Sequence, residues 1–142
     1  MKRVFTIIGL ISLLACAAWA YTKIQSRDLT GRTDQFNADV DDIFYSLQRY
    51  KDVVGSYPVG NNAEVVKALM GNNPKNMIII VGRKKNVNSK GELVDPWGTP
   101  YRIYFAGEGI FIRSAGPNKR FDDTVVPNSD EFKHSDDLTR SN

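Results

Sequence analysis

The sequence predicts an α+β fold, a long N-terminal helix packed on a small antiparallel sheet. Three features point there. Apolar residues recur with helical spacing between 34 and 54. The pattern changes to strict alternation after residue 100. Between the two lie proline- and glycine-marked turns and a second, short apolar segment. Helix first and strands later, without regular alternation, is the order of an α+β domain rather than of a parallel α/β sheet.

The chain opens with MKRVFTIIGLISLLACAAWAYTK. Lys2 and Arg3 form a short N-terminus, residues 1–3, and nothing charged follows until Lys23. Residues 4–22 would rise about 30 Å as a helix, the thickness of a bilayer core. Trp19 and Tyr21 stand at the far end, where amphipathic rings favour the interface. The basic N-terminus predicts cytoplasm-in, domain-out, although Lys23, Arg27 and Arg32 follow on the other side. Two other readings stay open. Ala18-Trp19-Ala20 has the form of a signal-peptidase site, with cleavage after Ala20. Leu13-Leu14-Ala15-Cys16 is lipobox-like, with lipid on Cys16. All three readings export the rest of the chain.

Residues 23–33 are a helix continuation with Gly31 as its hinge point. In 34–142, Phe36, Val40, Ile43, Phe44, Leu47, Tyr50 and Val54 form one helical stripe, while Asp39, Asp42, Ser46 and Arg49 fall off it. Thr33 or Asp34 is placed to cap this helix and Gly55 to end it. Tyr57-Pro58 breaks the chain's direction. Asn61 followed three residues later by Glu64 makes a capping box for a short second helix, closed by Gly71 and Pro74. Met77 to Val81 reads as a buried strand or as a hydrophobic plug under a loop. Asp95-Pro96-Trp97-Gly98 has the residue order of a type I turn. Tyr101, Ile103 and Phe105 alternate with Arg102 and Tyr104, and Ile110 and Ile112 with Phe111 and Arg113, which predicts a hairpin joined at Ala106–Gly109. An acidic C-terminal loop follows Pro117.

Composition removes several function classes. Of 142 residues, 42% are hydrophobic and 25% charged, so a folded domain is expected. With 19 basic and 16 acidic residues, the net charge of +3 does not argue for nucleic acid. Arg83-Lys84-Lys85 and Lys90 form a basic cluster without interleaved aromatics, which reads as a solvated loop. Cys16 and His134 are the only residues of their kinds. Disulfides, cysteine metal sites, histidine triads and multi-histidine zinc sites are therefore not expected. Ser114 has neither a nucleophile-elbow context nor an accompanying base. Trp97 and Tyr101 read as core residues before they read as a binding platform.

Taken together, YKDVVGSYP at 50–58, DPWGTPY at 95–101, SAGPNK at 114–119 and the aspartate pair at 136–137 resemble the G-type pseudopilins of type II secretion. The resemblance covers nearly the whole chain. It implies a type IV pilin-like fold and a non-catalytic, structural subunit of a protein-secretion assembly. The first helix would lie in the inner membrane, single-pass, with the domain in the periplasm. Other pilin-like subunits, further copies of the chain and the secretion machinery would be its partners. Members of the family hold calcium in the C-terminal loop. By that resemblance Asn118, Asp136 and Asp137 are the candidate ligands, with Asp122 and Asp123 as competitors. Calcium takes six to eight oxygen ligands, and such an ion would staple a domain that has no disulfide.

Phe5-Thr6-Ile7-Ile8-Gly9-Leu10 resembles the start of a mature pilin, with two departures. Val4 stands where the processing peptidase requires glycine, and Gly9 where the family carries glutamate. Both imply an accessory or divergent subunit. The alternative is a non-polymerising periplasmic binding protein or lipoprotein that keeps the domain but loses the spanning helix.

Overall fold

A computed structural model describes residues 2–80, 86–122 and 136–142, with side chains from Leu14 onward. The elements run α1 (Lys2–Val54), α2 (Asn62–Leu69), β1 (Arg102–Ala106), β2 (Gly109–Ser114) and β3 (Leu138–Ser141). The fold is α+β, with a three-stranded antiparallel sheet in the order β1-β2-β3. The chain divides into two compact units, Met1–Asp34 and Gln35–Asn142.

The first unit is helix alone. Thr22 Oγ1 donates to the Trp19 carbonyl at 2.8 Å, Thr30 to Ser26 and Thr33 to Leu29, both at 3.0 Å. Arg32 pairs with Asp28 one turn back. These bonds correct the expected cap. Thr33 bonds backward along a helix that is already running, so neither it nor Asp34 begins one, and Gly31 lies within the helix. Leu14, Trp19, Tyr21 and Ile24 are all exposed. Among the described residues no helix is long and apolar enough to cross a membrane. The side chains of residues 4–13, the first part of the expected span, lie outside the described set.

In the second unit, Phe36, Val40, Ile43, Leu47 and Tyr50 are buried, as their spacing requires. They form one core with Val65, Val66 and Leu69 of α2, and with Ile110 and Ile112 of β2. Phe44 is partly buried against the same core. Each fully buried aliphatic side chain contributes about 1.5–3 kcal/mol. Gly55 ends α1 with φ +96°, donating to the Lys51 carbonyl at 2.7 Å.

Helix α2 starts with the predicted capping box. The Asn61 side chain accepts from the Glu64 amide, and Glu64 Oε2 accepts from the Asn61 amide. Its first residue, Asn62, docks the helix on the following loop through Leu93 and Tyr101. Met77–Ile80 is not a strand. The amides of Ile79 and Ile80 both donate to the single carbonyl of Leu69, so these two residues plug the end of α2 against the core while Met77 and Ile78 stay exposed. Val81 lies outside the described residues.

The hairpin pairs Ile103 with Ile112 and Tyr104 with Phe111. A two-residue tip, Gly107-Glu108, closes it, with Gly107 at φ +58°. Strand β3 extends the sheet within what reads as an acidic loop. It pairs Ile112 with Arg140 and Arg113 with Thr139. Arg140 then ties β3 to α1, donating to the Asn37 carbonyl and pairing with Asp41 at 2.7 Å.

Candidate functional site

Two carboxylates meet the last two residues of β2. Adjacent strand residues face opposite sides of a sheet, so Ser114 and Arg113 reach different loops. Ser114 is fully buried and donates to Asp95 Oδ2 at 2.6 Å. Asp95 Oδ1 accepts from the amides of Trp97 at 3.0 Å and Thr99 at 2.8 Å. The Asp95 carbonyl accepts from the Gly98 amide at 2.9 Å, closing the predicted turn. Ser114 Oγ in turn accepts from the Gly116 amide. This network welds the turn to the sheet. Trp97 and Tyr101, on either side of Thr99, are both buried.

Arg113 holds the other carboxylate. Its Nε donates to Asp137 Oδ2 at 2.6 Å, and Nη2 donates to the same oxygen. Nη2 also donates to the Asp122 carbonyl at 2.7 Å, and the Asp122 amide donates to Asp137 Oδ2 at 3.2 Å. The guanidinium lies 5.4 Å from the centre of the Phe121 ring. Asp137 has only 4% of its side chain exposed. Gly116, at φ +62°, packs directly on the Asp136 backbone, where a Cβ would collide with the Asp136 carbonyl.

The structure brings together Asp122, Asp136 and Asp137, with carboxylate oxygens all within 4.8 Å of one another. Asp136 Oδ1 and Asp137 Oδ1 are buried without a hydrogen-bond partner among the described residues. A buried carboxylate oxygen with no donor carries an unmet charge, and hard cations prefer such oxygens. Asn118 lies beside this group through its own hydrogen bonds. Its amide donates to Asp136 Oδ2 at 2.9 Å, while its side-chain oxygen accepts from the Arg120 amide at 2.6 Å. It shapes the loop through its backbone and caps its own turn. Asp123 and Arg83-Lys84-Lys85 lie outside the described residues. Cys16 is exposed on α1.

Sequence reasoning singles out the acids but misses Arg113, which reads only as an outward strand residue. Its signal was one of position. A cation one residue before a buried serine, on the strand that enters the acidic loop, faces that loop.

No protein-family profile matches the chain. No curated protein matches it. Among solved structures, the chain is similar to the crystal structure of the major pseudopilin from the type 2 secretion system of enterohaemorrhagic Escherichia coli. Identity is 21% and the TM-score 0.47, over 80% of this chain and 86% of that one.

Proposed function

We propose that the chain is a structural, pseudopilin-like subunit of a type II secretion-type assembly. It is held in the inner membrane by residues 4–22, with its α+β domain in the periplasm, and it associates with other pilin-like subunits or with its own copies. The observation that carries this reading is the contrast within α1. Leu14, Trp19, Tyr21 and Ile24 are exposed, whereas Phe36 to Tyr50 on the same helix build the core of a domain. Exposed apolar residues in such number call for lipid or another helix. The quoted motifs at 50–58, 95–101 and 114–119 support the same assignment.

The mature N-terminus, read by mass spectrometry on protein taken from cell membranes, tests it. An intact Met1 or a start at Phe5 is expected. A start at Tyr21, or a diacylglyceryl group on Cys16, removes the spanning helix and overturns the reading. Mild oxidation of those membranes adds a second test. Cys16 is the single cysteine and is exposed, so a disulfide-linked dimer is expected where two packed helices bring their Cys16 residues side by side.

Asp122, Asp136 and Asp137 fit a calcium ion by the chemistry of their oxygens and by the two Oδ1 atoms without a hydrogen-bond partner among the described residues. When bound, the ion would staple the loop between β2 and β3. With three carboxylates among the described residues, one already shared with Arg113, the affinity belongs to the weak range of exported modules, on the order of 10⁻⁴ to 10⁻³ M. Calcium at roughly ten times that constant is expected to raise the melting midpoint of the full chain in detergent relative to chelator. An unchanged midpoint would end this part of the proposal.

A further inference from the structure

The geometry points to Arg113 as the resident counter-cation of the acidic loop. We propose that it keeps Asp137 docked when no divalent ion is bound, and thereby lowers the loop's affinity for calcium. The inference rests on the calcium reading above and concerns how that site is regulated.

Three observations carry it. First, Arg113 fastens both chain segments that bring the carboxylates. It takes Asp137 through Nε and Nη2, and the Asp122 backbone through Nη2. Second, every donor it offers Asp137 goes to Oδ2, while Oδ1 is left buried without a partner among the described residues. The arginine therefore neutralises the group without using up its oxygens. Third, among the described residues the three carboxylates of Asp122, Asp136 and Asp137 outnumber the one guanidinium paired with them, which favours a cation beside Arg113.

An ion seated on Asp137 Oδ1 would lie across one carboxylate from a fixed positive charge. Like charges at that distance repel even with partial screening. The guanidinium stays protonated throughout the accessible pH range, so this repulsion does not titrate away. Without Arg113, the buried Asp137 carboxylate would lose its ion-pair partner among the described residues, which is strongly destabilising unless an ion arrives. One residue thus exchanges a loop that needs calcium for one that tolerates its absence.

The test uses the full chain in detergent, with calcium chloride as the probe. Isothermal titration and thermal melting would be run on wild type, Arg113→Met and Arg113→Gln, with Asp137→Asn as the control that removes the site. Arg113→Met keeps the stem over Phe121 and removes the charge. Arg113→Gln keeps a donor for Asp137, and so serves if the methionine variant does not fold. Calcium should bind the neutral variants at least about ten-fold more tightly than wild type. Their midpoints in chelator should fall below wild type and recover in calcium. If wild type binds calcium and the folded variants bind it no more tightly, the role given to Arg113 is wrong and the calcium site stands. If no folded form binds calcium, the calcium reading fails and takes this inference with it.

Discussion

The two carboxylates at the end of β2 occupy similar depths but differ in how their oxygens are used. Asp95 spends both oxygens on protein donors, two amides on one and the Ser114 hydroxyl on the other. Asp137 puts three donors on a single oxygen and leaves the other bare among the described residues. A saturated carboxylate is finished as a structural element. A half-saturated one in a buried setting still demands a positive partner. That difference, more than the number of acids nearby, separates a turn residue from a candidate ligand.

The largest effect should come from Asp137→Ala. It takes away the carboxylate that accepts two donors from the mostly buried Arg113 guanidinium and one of the ties between β2 and the chain entering β3. Breaking a buried pair costs about 3–5 kcal/mol. Chemical denaturation of the full chain should show that loss, together with a melting midpoint that no longer responds to calcium. Next comes Gly116→Ala. The left-handed φ and the collision with the Asp136 carbonyl should together cost about 2 kcal/mol. Because Asp136 must move, the calcium response should weaken as well. Asp95→Asn is the counterpart on the saturated side. The amide oxygen can still accept from Trp97 and Thr99, and the amide nitrogen faces Ser114. A loss of roughly 1–2 kcal/mol is expected, equal in calcium and in chelator. A calcium-dependent loss at Asp95 would erase the distinction between the two sites.

How much of this was readable in advance follows the reach of the interactions. The α1 stripe, the Asn61–Glu64 capping box and the turn at Asp95 are local, set by residues within four positions of one another, and the sequence displays them. Strand β3 is not local. Leu138–Ser141 holds one apolar residue, and its pairing depends on β2 and on Arg140 reaching α1. The same holds for the acidic site. Asp136 and Asp137 were recognisable as candidates, but Arg113 is 24 residues away from Asp137, and only the β2–β3 register brings them together. Thr33 and Asp34 show the opposite failure. Both are good capping residues in isolation, yet the helix was already formed when it reached them.

Tyr101 supplies the smallest prediction and a control for the argument from bare oxygens. Its hydroxyl is buried without a hydrogen-bond partner among the described residues, as Asp137 Oδ1 is. The difference is charge. A neutral hydroxyl satisfies its surroundings by staying neutral, and burial, with Asp39 and Asp95 adding to it, pushes its pKa well above the usual tyrosine value. A raised pKa means that the unfolded chain releases this proton near the ordinary value of 10.0, while the folded chain keeps it. The contribution of this group to stability is therefore fully present below pH 10.0 and is lost as pH rises above it. Tyr101→Phe should remove an unsatisfied polar atom, stabilise the fold by about 1 kcal/mol at neutral pH and flatten that alkaline decline. Melting midpoints between neutral and strongly alkaline pH would measure both effects, and calcium should alter neither. A calcium response that vanished with this hydroxyl would place the ion near Tyr101, not at the loop that Arg113 guards.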